Sequence, residues 1–280
     1  MKGGKMRLRK KLLIGSVAVT AATAACGGGR APVYVYSETD APLSYHYATK
    51  GKQAVETPNG TSGSGFDTEA VMLLDLGSAS PEGRTFSIEF EAFDATLEGQ
   101  MGSREVDGAS IRGLLFRGIT GPAGSIQMVE TPAVRAGAYD QNSLLAMFPD
   151  ILAPLPPGGD ASRGDWPHAW VLPTGGGLEG ETSYTGTARF AGDTTWNGIE
   201  ARLIVSEGAV HADGTGTPEG APGEVALSAS GSASATYVWD PASGVLLAMK
   251  AESRSEGSVL AMGFDLPIEI ESERHAELVR

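Results

Sequence analysis

The chain has 280 residues, with 34 Asp or Glu against 21 Lys or Arg and a formal net charge of −13. Six of the basic residues (Lys2, Lys5, Arg7, Arg9, Lys10 and Lys11) lie within the first 25 positions, so the rest of the chain is more acidic still. This excludes a nucleic-acid-binding body, which needs a basic face for phosphate, and adhesion to anionic lipid by charge alone.

Residues 1–11 form a basic segment, and Leu12 to Ala25 form an apolar stretch that ends in small side chains. A membrane-spanning helix needs about 20 apolar residues, so this stretch has the form of an export signal. Cys26, the sole cysteine, follows Thr23-Ala24-Ala25 directly. A single cysteine excludes an intramolecular disulfide framework. Ala24, Ala25 and Cys26 match the usual bacterial lipoprotein signal, Leu-Ala/Ser-Gly/Ala-Cys, and Thr23 stands where Leu is usual. The segment resembles that signal. The resemblance implies cleavage before Cys26, a diacylglyceryl thioether on its sulfur and usually N-acylation with a palmitate-type chain. Each buried methylene contributes about 0.8 kcal/mol, so two or three acyl chains anchor a protein firmly. Gly27, not Asp, comes next, which in the better-known sorting rule implies the outer membrane. The alternative is an ordinary secretory peptide cut near the same place.

From residue 33 onward the pattern has a period of two, which predicts half-buried strands. Leu43, Tyr45 and Tyr47 alternate with Ser44 and His46. Segments 70–76, 110–119 and 124–130 suit strands. Phe86, Ile88, Phe90 and Ala92 are expected on one face, with Ser87, Glu89 and Glu91 on the other. A short helix is expected from Tyr139 to Phe148, ended by Pro149. Thr182, Tyr184, Gly186, Ala188 and Phe190 make one face, and Ile199, Ala201, Leu203 and Val205 another, with the hairpin signal Asn197-Gly198 between them. Val225 to Trp239 alternates small or apolar residues with Ser228, Ser230, Ser232 and Ser234, then turns at Asp240-Pro241-Ala242-Ser243-Gly244 into Val245 to Ser253. In the last run, 258–272, Pro267 predicts an edge or a bulge.

The fold class read from this is all-β: two antiparallel, curved sheet lobes with a short helical, Pro/Gly-rich connector. The expected organisation is a signal peptide at 1–25, lipidated Cys26 and a tether at 26–32, a first β lobe at 33–130, the connector at 131–180 and a second β lobe at 181–280. Phe148-Pro149, Leu155-Pro156-Pro157 and Gly164-Asp165-Trp166, with Tyr237-Val238-Trp239-Asp240-Pro241-Ala242-Ser243-Gly244, resemble segments of certain uncharacterised bacterial lipoproteins with two β lobes. That resemblance implies a curved half-barrel like those of lipoprotein and lipid carriers, and brings no catalytic residues.

No residue pattern assembles a catalytic site. His46, His168, His211 and His275 fall in no metal motif, and His168, between Trp166 and Trp170, reads as a packing residue. No G-x-S-x-G elbow occurs. Gly175-Gly176-Gly177-Leu178-Glu179-Gly180 matches G-x-G-x-x-G but precedes a strand-like run, without the helix that a phosphate site needs. Glu89 and Glu91, and Glu269, Glu271 and Glu273, read as solvated faces. The expectation is therefore a non-enzymatic lipoprotein of the cell envelope, held to the membrane by lipid on Cys26, with no cofactor and no metal. It would bind an apolar ligand or lipid on a sheet face lined by aromatics such as Tyr45, Tyr47, Phe86 and Phe90. The alternative is a structural lipoprotein with filled cores that docks an envelope partner.

Overall fold

The structure, a computed structural model, describes residues 34–279 except 59, 100–101, 122–123, 135–138, 161–163, 219–220 and 222. The signal segment, Cys26 and the tether lie outside the described residues.

The first run of strands is β1 (Leu43–Thr57), β2 (Gly60–Ser80), β3 (Gly83–Gly99), β4 (Gly102–Val106), β5 (Leu115–Thr120) and β6 (Ile126–Glu130). Two short helices follow, α1 (Gln141–Leu145) and α2 (Phe148–Ile151). The second run is β7 (Trp166–Pro173), β8 (Leu178–Glu179), β9 (Glu181–Trp196), β10 (Ile199–Gly216), β11 (Val225–Asp240), β12 (Val245–Ala261) and β13 (Phe264–Val279). All pair antiparallel in one sheet of order β6-β5-β3-β2-β1-β13-β12-β11-β10-β9-β7, with β4 beside β3 and β8 beside β10. The two runs join where β1 pairs with β13, from Ser44 opposite Val279 to Val55 opposite Ile268.

The sheet is strongly curved. At about 4.8 Å per strand, β5 and β7 would lie roughly 43 Å apart in a flat sheet. Instead Phe116 of β5 and Trp166 of β7 belong to one buried cluster. The two edges also approach each other through the turn before β6. A Cβ added at Gly124 would stand 2.8 Å from His168 Cδ2 of β7. The concave face holds Tyr45, Tyr47, Met72, Leu74, Phe90, Tyr237, Met249 and Ala276, all buried.

A plug fills one half of this concavity. It consists of Tyr34 and Tyr36 from the N-terminal segment and the 139–153 stretch. The Asp140 carboxylate caps α1 through Ser143 N–H at 2.8 Å. Pro149 does not end a helix but occupies the first turn of α2, where its missing N–H costs nothing. Phe148 is fully buried and meets Phe86, Phe90 and Phe116 edge-on or tilted at 5.1–6.4 Å. Such pairs contribute about 0.5–1.5 kcal/mol each beyond area burial.

Several local expectations shift, for identifiable reasons. Bulges move the faces of two strands. In β3, a register shift opposite Val71/Met72 turns Phe93 inward in place of Ala92. In β9, the extra residue Ala191 opposite Leu203/Ile204 changes the strand's parity, while β10 keeps its own, with Ile204 and Ser206 inward and Ala201 and Leu203 outward. Ala201 then joins Val238, Val245, Leu247 and Ala248 in a second, smaller cluster. In the 110–119 segment, residues 108–110 form a 3-10 turn capped by Asp107, and the strand starts only at Leu115. The 258–272 run folds back on itself at Met262-Gly263. Pro267 is paired with Ser258 of β12 but lies one residue past the last β1 pair, so its missing N–H breaks no ladder bond to β1. Asn197 (φ 47°) and Gly198 (φ 84°) form the expected hairpin turn.

Candidate ligand-binding trough

Beyond the plug no described residue covers the concave face. The inward positions here follow from register: Gly51, Gln53 and Val55 of β1, Ser272, Ile270 and Ile268 of β13, and Ser253, Ser255 and Gly257 of β12. The ladder continues through Ala233, Gly231 and Ala229 of β11 and Gly208, Val210 and Ala212 of β10. Most are small, so the floor is close to bare backbone. Along it runs a trough of about 1410 Å³, lined by Gly51, Gln53, Phe66, Ala233, Ser253 and Ser272 among others. This is larger than the roughly 300–1,000 Å³ usual for a small-molecule site.

At the plug end the trough meets a recess of about 40 Å³, with which it shares Ala233, Ser234 and Ser253. The recess is lined by Asp150 of the plug and by His168, Tyr184, Ser206, Tyr237 and Arg274 of the sheet. Tyr47 donates its hydroxyl to Asp150 Oδ2 at 2.9 Å, and Arg274 Nε lies 3.6 Å from the same oxygen. Burial pushes the Asp150 carboxyl above its ordinary value, while Arg274 and Tyr47 pull it down without cancelling that rise. Burial likewise raises Tyr47, with Asp150 adding to it. On the other wall, Ser206 Oγ stands 2.7 Å from His168 Nδ1 and 2.7 Å from the Tyr184 hydroxyl. His168 is 3% exposed, and burial alone lowers its pKa to about 4, so the ring is neutral at pH 7.

This cluster joins a cation and several hydrogen-bonding groups to a long apolar or small-residue floor, which suits an amphiphile. It offers less for catalysis: Ser206 is 1% exposed. His168 therefore does more than pack between Trp166 and Trp170. It also lines the recess, together with Trp170. Asp150, Ser206 and Arg274 were not candidates on sequence grounds. The one signal was a polar residue at an inward position, and for Ser206 the apolar run Ile199, Ala201, Leu203 and Val205 on the opposite face of β10 masked which side is inward.

The remaining sequence candidates lie elsewhere. The Gly175–Gly180 loop does bind a carboxylate, but the chain's own: Gly177 N–H donates to Asp140 Oδ2 at 2.8 Å and Gly176 N–H to Ser143 Oγ at 3.2 Å. Burial raises the Asp140 pKa, but the N–H groups of Gly177 and Ser143 outweigh it and hold the carboxyl below the usual range. Glu269 and Glu271 pair with Arg254 on the outward side. Among the described residues there is no cluster of three or more His, Cys, Asp or Glu placed to hold a metal ion. Among them, too, no helix is long and apolar enough to cross a membrane.

No protein-family model and no curated protein matches the chain. Among solved structures, DynF from the dynemicin biosynthesis pathway of Micromonospora chersina aligns over 94% of this chain and 92% of its own, at 7% identity and a TM-score of 0.29. A domain assigned as an outer membrane lipoprotein-sorting protein from Vibrio parahaemolyticus aligns over 81% and 83%, at 8% identity and a TM-score of 0.16. Scores this low carry no argument about fold or function.

Proposed function

We propose that this protein is a lipid-anchored bacterial envelope lipoprotein that binds an apolar or amphiphilic ligand, a lipid, in the trough, without catalysing a reaction on it. The observation that supports this reading is the half-filled concavity. The plug covers the inward face from Tyr45 to Thr49. Beyond it, a trough of about 1410 Å³ lacks any cover from the described residues. Val55, Phe66, Leu97, Val210, Leu227, Val259 and Ile270, at inward positions, stay only half-buried. A filled structural core would bury them. An acyl chain laid along the floor would remove that apolar area from water at about 25 cal/mol per Å².

The test is a titration with a fluorescent fatty acid against the chain 27–280, beside a variant carrying Ala233→Trp and Ser253→Trp. Two indoles in the trough should weaken binding at least tenfold while leaving the far-UV spectrum unchanged. Equal binding by both proteins would mean that the ligand does not lie in the trough. The anchor is tested separately: Cys26→Ser should move the protein from the membrane to the soluble fraction.

A further inference from the structure

The β12–β13 hairpin carries a second feature, independent of what occupies the trough. Its apex is Met262-Gly263, a two-residue turn with both residues at positive φ, 51° and 82°. This is the geometry that Asn-Gly or Gly-Gly adopts cheaply, and a Met there pays a steric cost. Around the apex Leu260 is 50% exposed, Met262 70% and Phe264 57%. Elsewhere in the described sheet such side chains are mostly covered. Leu260 and Phe264 flank the apex on opposite faces of the hairpin, with Met262 at the point, and no charge falls between Leu260 and Phe264.

We propose that this hairpin tip is a membrane-contacting point, which inserts Leu260, Met262 and Phe264 into the surface of a phospholipid bilayer. Three arguments favour a bilayer over a protein. First, a stable protein contact buries about 800 Å² on each partner, and a hairpin apex of three side chains offers only a fraction of that to a rigid surface. A fluid interface closes around a point and buries all three. Second, the apex is continuous with the concave face. Phe264, Leu266, Ile268 and Ile270 follow one another at inward positions of β13 and lead to Ser272 in the trough. Third, the nearest charge is Asp265, and Glu256 and Glu269 farther back are paired with Arg254, so contact is driven by apolar burial and suits a zwitterionic rather than an anionic surface.

The far end of the molecule, which the segment after Cys26 reaches, provides the control, because the chain 27–280 has no anchor there and the tip is read alone. Ser37 N–H is bonded to Gly244 O at the opposite end of β12, and 17 residues of strand place it roughly 55 Å from the tip. Glu38 beside it is exposed.

All the described strands and both helices lie within 34–279, so the chain 27–280 keeps the packed body and contains no native cysteine. Met262→Cys and, separately, Glu38→Cys are labelled with an environment-sensitive fluorophore and mixed with phosphatidylcholine vesicles. The label at 262 should shift to the blue and be quenched by lipids spin-labelled near the headgroup, and the label at 38 should do neither. Vesicle co-sedimentation should fall about tenfold or more in a triple variant, Leu260→Ser, Met262→Asn and Phe264→Ser. The Asn suits the turn, so this variant keeps its hairpin. A silent label at 262, an equal response at 38, or unchanged co-sedimentation of the triple variant would overturn the proposal. So would a wild-type dimer in sedimentation velocity that the triple variant abolishes, because the tip would then be a contact between copies. Fatty-acid uptake is measured on the same samples, so the tip and the trough can fail separately.

Discussion

His168 and Asp150 make opposite demands on pH. The folded-state pKa of His168 lies near 4, below its ordinary 6.5, so the unfolded chain takes up the proton first. Its contribution is full above about pH 6.5 and is lost as pH falls toward 4; for this well-buried ring the difference is on the order of 3 kcal/mol. His168→Gln should therefore flatten the fall in urea midpoint between pH 6.5 and 4, and an unchanged slope would contradict the burial of a neutral ring. Asp150 has a raised pKa, so ionising it costs stability as pH rises through that value, and Arg274 is what offsets the cost. Removing one partner leaves an uncompensated buried charge. Asp150→Asn should cost about 3 kcal/mol at pH 7, and the double change with Arg274→Met should recover most of it. A loss in the double variant equal to the sum of the two single losses would mean the pair is not coupled. None of this was legible in the sequence. Asp150 and Arg274 are 124 positions apart, and only the joining of β1 to β13 brings Arg274 and Tyr47 to the plug.

At the scale of elements, the strands were legible and their ends were not. Alternation located β1, β3, β9 and β11 because each has one buried and one wet face, the condition under which period two is informative. It failed at the bulges in β3 and β9, which change parity with no residue to announce them. It also failed at Met262-Gly263, where an apolar residue takes a position usually given to Asn or Gly. The 139–148 segment was legible as helical, but its role was not, because propensity does not say that the segment sits inside a sheet. That role is testable. Phe148 is fully buried against three aromatic rings, so Phe148→Ala should cost about 3–5 kcal/mol, read as a lower urea midpoint. A cost below 1 kcal/mol would mean that the plug is not a fixed part of the core.

For the whole molecule, composition indicated an acidic, folded body, alternation an all-β one, and the N-terminal pattern an envelope address. The joining of all these strands into one curved sheet was beyond reach, because alternation fixes which way a side chain points and not which strand lies beside it. The curvature creates the concavity, the plug fills half of it, and the other half is the trough. On the proposed function, this half is occupied in the cell. Native mass spectrometry of the chain 27–280, purified gently from a periplasmic expression host, tests it most directly. A stoichiometric adduct of lipid mass, lost on organic extraction and absent from the Ala233→Trp, Ser253→Trp variant, is the expected result. A bare protein mass that takes up no added lipid would contradict it.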